Sequence, residues 1–147
     1  MLHSIVLAVV VGSLPLAPVP ASPGDSLRPD HEVRLVALRH AAEIRHCYET
    51  QGLRVNPQLR GMVEVEVTVL PSGIVNGANI SASGLAGAGR AAVEACITTS
   101  VKNWRYERGP FVTETIVYPF TLVRDANTAV STAMRRQPPG DSARAGD

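Results

Sequence analysis

The residues richest in chemistry stand together: His46, Cys47, Tyr48 and Glu49 follow one another inside "EIRHCYET", residues 43–50, and the second cysteine is Cys96. Four chemistries suit such a set: a cysteine nucleophile with a histidine base, part of a metal site, two separate buried thiols, or one half of a disulfide. A nucleophilic cysteine needs an exposed, basic setting and a base within hydrogen-bond reach. On a helix His46 points about 100° away from Cys47, and His40 lies about 10 Å back along the axis, so neither makes a local dyad. Zinc needs four ligands, and no C-x-x-C or H-x-x-x-H pair is present to seed a site. No catalytic, cofactor-binding or metal-ligating residue is assigned, and the expected chain is not an enzyme.

Other candidates have ordinary explanations. Glu64 and Glu66 form a carboxylate pair, but charges on the outer face of a strand more commonly discourage edge pairing. Trp104 ends an apolar helical stripe, where a tryptophan is more often core than ligand platform. "GLAGAG", residues 84–89, lacks the lysine and Ser/Thr of a phosphate-binding loop.

These residues are positioned by a short series of elements. Asp30, after Pro29, is read as the N-cap of a helix running to about Thr50, with Gly52 as its stop. Val33, Val36, Ala37, Ala41, Ile44, Cys47 and Tyr48 form its buried stripe, which turns Cys47 inward. "GMVEVEVTVL", residues 61–70, alternates Val63, Val65, Val67 and Val69 with Met62, Glu64, Glu66 and Thr68, as a half-buried strand does. "PSG" turns the chain into a second strand, "IVNGANISAS", in which Gly77 marks a bulge or a close backbone approach. A second helix is expected from about Ala86 to Asn103, with Val93, Ile97, Val101 and Trp104 on one face and Cys96 beside it. "TETIVYPFTLV", residues 113–123, is the third strand, with Ile116, Tyr118, Phe120 and Leu122 on one side and Val117, Thr121 and Val123 on the other.

Short connections and antiparallel neighbours favour the strand order two, one, three. The expected fold is therefore α+β: two helices packed on one face of a three-stranded antiparallel sheet, order 2-1-3. Residues 30–123 form this domain. Residues 22–29, "SPGDSLRP", read as a linker, and residues 124–147 as a mostly disordered tail that admits a short helix around Ala129 to Arg136.

Composition sets the compartment and narrows the partners. Formal net charge is +1 without a sustained charge block, which argues against nucleic acid as a partner. The apolar run from Ile5 to Leu14 falls short of the roughly 20 residues a spanning helix needs. Val19-Pro20-Ala21 then offers a small-x-small cleavage site, so residues 1–21 read as a signal peptide, despite an n-region lacking Lys and Arg. The competing reading is a retained membrane anchor or a misassigned start. Cleavage leaves no stable membrane span and sends the chain to the periplasm or outside the cell.

In order along the chain, "CYE", "NPQLRGMVEVEVTVLPSGIV", "VEACITTSVKNWRYERG" and "YPFTLV" resemble the AgmX/PglI C-terminal domain family, within the TonB C-terminal-like superfamily of bacterial envelope proteins. The likeness covers roughly residues 35–123. It rests on the paired cysteines, Asn56-Pro57-x-Leu59-x-Gly61 before strand one, the turn ending in Gly73, and Cys96 followed by Trp104. Arg105-Tyr106-Glu107 replaces the aromatic-proline step common in that family. The apolar segment lacks a Ser-x-x-x-His pair, and the linker is too short to cross a periplasm. The resemblance therefore implies a protein-interaction module, without cofactors, binding an envelope protein. It does not imply an energy transducer by itself.

For Cys47 and Cys96 the leading reading is a disulfide between two helices that cover the same sheet, formed in an oxidising compartment. Pro119 cannot donate to a ladder, so strand three is expected at a sheet edge. Its outward residues, Thr115, Val117, Pro119, Thr121 and Val123, are the candidate partner edge, open to β-augmentation by an extended peptide. The alternatives are an exported thiol enzyme using Cys47 or Cys96, or a purely structural envelope component.

Overall fold

The valine alternation of strand one sets the core. In the computed structural model, which describes residues 26–124, 129–130 and 135–137, β1 spans Gly61–Val69 and fully buries Val63, Val65, Val67 and Val69. The expected signal peptide, residues 1–21, lies outside the described residues. β2 (Val75–Ser83) and β3 (Glu114–Leu122) flank β1, both antiparallel to it, which gives the expected order 2-1-3. Two irregularities interrupt the β1–β2 register, and the second falls beside Gly77, where Thr68 pairs with Gly77 but Val69 pairs with Val75. The turn between β1 and β2 needs Gly73: its φ is 81°, and a Cβ there would lie 2.1 Å from the Tyr106 carbonyl oxygen.

The first helix is not continuous. α1 (Asp30–Arg39) and α2 (Ala41–Cys47) are separated at His40, and the chain continues as a π-helical segment over Tyr48–Leu53. Gly52 therefore does not stop the helix. It lies buried within the wider turn, where a Cβ would meet Leu59 and Val93 at 2.9 Å, so its role is close approach to the next layer. Pro29 takes the N-cap position expected of Asp30, which opens the first turn instead. α3 spans Arg90–Lys102 and starts later than Ala86, because the glycine-rich stretch before it has low helix propensity.

α2 packs on α3, and α3 packs on β2 and β1. Trp104, fully buried just after α3, meets Tyr118 and Phe120 edge-on, with ring centroids 5.6 and 6.4 Å away, and stacks on His40 at 5.0 Å. The Tyr118 hydroxyl donates to the Val33 carbonyl at 3.2 Å, tying α1 to the sheet.

The segment after residue 124 differs from the expected tail. Ala129–Val130 (β4) and Arg135–Gln137 (β5) are extended strands, both antiparallel to β3 on the side away from β1. No helix forms at these residues, and the rest of the segment lies outside the described residues.

Candidate partner-binding edge

The β1–β3 ladder runs unbroken from Gly61–Leu122 to Val69–Glu114 and passes straight through Glu64–Pro119. A proline is tolerated there when its missing donor faces away from β1. By alternation, the backbone groups of Thr115, Val117 and Thr121 then also face outward.

The expectation of an open edge at β3 is corrected by the tail. Thr115, Ile116 and Val117 pair with Gln137, Arg136 and Arg135, while Phe120 and Thr121 pair with Val130 and Ala129. From Phe120 to Val117 β3 advances three positions, while the tail advances five from Val130 to Arg135, so the added ladder breaks beside Pro119. Val123 lies beyond β3 and lines a cleft with Leu59, Arg60 and Arg124. The structure thus brings Thr115, Val117 and Thr121 together on one paired edge, with Pro119 at its break and Val123 outside it.

Charge holds this added strand from both faces. Arg135 lies on the outer face and reaches Glu64 on β1 at 3.1 Å, passing its cross-strand partner Val117, which is buried although it points away from the helices. Arg136 points to the inner face. Its Nη1 pairs with Glu114 Oε2, and its Nη2 with Asp30 Oδ1 at 2.7 Å and with the Arg28 carbonyl.

Glu114 begins β3 on the same face as Ile116 and is buried at 5% exposure. Burying a carboxylate there requires a cation. Arg28 supplies it: its fully buried side chain places Nη1 2.9 Å from Glu114 Oε1 and Nη2 2.6 Å from the Leu70 carbonyl. The Arg28 guanidinium lies 4.9 Å from the centre of the Phe111 ring and 5.8 Å from that of Tyr106, and its Nε approaches Glu32 at 4.0 Å. Arg28 was expected in a linker. Instead Ser26 bridges Phe111 and Arg28 anchors the chain ahead of α1. One sequence signal pointed to it: Glu114 shares the parity of Ile116, Tyr118, Phe120 and Leu122, so the strand carries a charge on its buried side. Nearby, burial raises the pKa of both the Tyr106 and Tyr118 hydroxyls, which hydrogen-bond each other at 2.9 Å.

Cys47 and Cys96 are bonded, with Cα atoms 5.6 Å apart, and join α2 to α3. With both sulfurs in the bond, neither cysteine offers a thiolate. His46 is exposed, while His40 places Nδ1 2.8 Å from the accepting Glu43 Oε1 and stacks on Trp104. Among the described residues, no group of three or more His, Cys, Asp and Glu gathers to hold a metal. Among the same residues no helix is long and apolar enough to cross a membrane. Comparison of the chain with protein-family models, with curated proteins and with solved structures finds no match.

Proposed function

We propose that this chain is an exported bacterial envelope protein-interaction module of the AgmX/PglI, TonB C-terminal-like type, and that it binds a protein partner by β-augmentation along β3. It works without an enzymatic step and is not an energy transducer by itself. One observation carries the reading: the outer side of β3 already accepts extended antiparallel chain, at Thr115–Val117 and at Phe120–Thr121. An edge that pairs with its own tail has the geometry to pair with another segment of the same form. The α2–α3 disulfide suits the periplasm or the exterior, where such bonds persist.

The reading is tested by placing a photo-crosslinking residue at Thr115, and separately at Asn79 on the opposite sheet edge, in the full chain within a bacterial envelope. A discrete partner protein crosslinked from Thr115 and not from Asn79 supports it. Crosslinks confined to Asn79, or to sites on the helices, overturn it.

A further inference from the structure

The strand that fills the β3 edge carries two adjacent arginines, and period-two alternation sends them to opposite faces of the sheet. Each meets a carboxylate belonging to the domain: Arg135 meets Glu64 outside, and Arg136 meets Glu114 and Asp30 inside. Without Arg136, Arg28 is the one cation bonded to Glu114 and Glu32 among the described residues, and Asp30 loses its cation. Without Arg135, Glu64 and Glu66 stand together on the outer face with no other cation bonded to them among the described residues. The edge therefore asks for an extended backbone and for positive charge on each face at consecutive positions.

Resting on the β-augmentation reading above, we infer that the partner segment is an extended peptide with two adjacent basic residues, seated antiparallel to β3 in place of Arg135 and Arg136. The inner position prefers arginine. Arg136 uses separate guanidinium nitrogens for Glu114 and for Asp30 with the Arg28 carbonyl, a fork that the single ammonium of lysine cannot reproduce. The outer position takes either base, because Arg135 is mostly exposed, with its side chain at 69%. The chain's own tail is the competitor, at an effective concentration on the order of millimolar.

The test uses the full chain carrying Arg135→Gln and Arg136→Gln, so that its own strand is disarmed. The probe is a fluorescent synthetic peptide with the sequence of residues 131–139, "STAMRRQPP". It is expected to bind this variant saturably, to protect Thr115–Val117 from hydrogen exchange, and to bind the unaltered chain far more weakly. Replacing the inner arginine of the peptide by glutamine weakens binding about tenfold or more, as loss of a charged hydrogen bond to the buried Glu114 does. Replacing the outer one weakens it about twofold, as for an exposed pair. As a control on folding, Glu64→Arg in the disarmed chain restores affinity for a peptide whose outer arginine is replaced by glutamate.

Equal binding of a peptide with both arginines replaced, still protecting β3, overturns the basic pair and leaves the edge reading standing. Absence of binding, or protection away from β3, overturns the inference, while crosslinking from Thr115 decides the edge reading separately. If the unaltered chain is a dimer and the doubly substituted chain a monomer, the occupant is the tail of a second copy and a separate basic partner is overturned.

Discussion

Breaking the Cys47–Cys96 bond is the perturbation whose size follows most directly from the fold. The two residues are 49 positions apart, so the bond closes about half of the domain, including β1 and β2, into a loop. In the chain-entropy treatment a loop of that length restricts the unfolded ensemble by about 4 kcal/mol. For a domain just under 100 residues that corresponds to a fall in Tm of about 20 °C. The cleanest comparison is oxidised against reduced wild-type chain, since both keep the same sulfur atoms in the core. Urea unfolding followed by circular dichroism gives stability and slope together. Reduction is expected to lower the midpoint and to raise the m value, because the freed unfolded chain exposes more surface. The variant with Cys47→Ala and Cys96→Ala should lose somewhat more, because Cys47 is buried at 1% exposure and its sulfur leaves a void. A difference between oxidised and reduced chains below about 1 kcal/mol would refute the reasoning, since the chain-entropy treatment requires about 4 kcal/mol at this loop length.

Three further outcomes are expected. Glu114→Leu leaves the Arg28 charge buried without its carboxylate and should cost about 3–5 kcal/mol in denaturant unfolding, while the double variant Arg28→Met with Glu114→Leu should recover most of it; a double-variant loss equal to the sum of the two single-variant losses would show that the pair has no coupling. Tyr106 and Tyr118 have folded-state pKa values raised by burial, so their contribution is complete below about pH 10, the ordinary tyrosine value, and is lost as pH climbs from there toward the raised folded-state values. Between pH 10 and 11.5 stability should fall by up to about 2.7 kcal/mol per pH unit, and a chain with Tyr106→Phe and Tyr118→Phe should show a clearly flatter slope. Amide protons of Thr115, Val117 and Thr121 should exchange through local opening, faster than those of Val65 and Val67; equal rates would mean that the outer strands leave only with global unfolding.

How far the sequence could be read depended on whether the signal was local. The valine alternation of Val63 to Val69 and the helical stripe ending in Trp104 are periodic, and periodic burial survives every tertiary arrangement, so the sheet order and helix faces were legible. Cys47 and Cys96 were legible for the same reason, since each lies on or beside a core-facing stripe. The break at His40 and the π-helical passage around Gly52 were not, because they depend on what Leu59 and Val93 leave as space. The strands at Ala129–Val130 and Arg135–Gln137 were missed because their pairing is long-range: nothing within "MRRQPP" announces a strand, and its arginines have meaning only opposite Glu64 and Glu114. Arg28 was hidden by its neighbours, since Pro, Gly, Asp and Ser around it have the composition of a linker. Its carboxylate partner, 86 residues away, was the visible half of the pair.

On the proposed reading, the ionic network lets an edge strand be firmly seated and still replaceable. Glu114 divides its two oxygens between Arg28, which belongs to the domain's own inner layer, and Arg136, which arrives with the tail. When β5 leaves, Glu114 keeps the Arg28 bond, so no carboxylate is left buried without a cation. The loss is confined to the two guanidiniums of Arg135 and Arg136 and to the ladder of a three-residue strand. The inner layer does not depend on that strand: the disulfide joins α2 to α3, and Trp104 and the bond from Tyr118 to Val33 tie the helical layer to β3. A domain built in this way keeps its fold whichever segment occupies the edge. On the proposed reading it selects the charge pattern of the occupant, because Arg135 and Arg136 of β5 both bond to carboxylates of the domain.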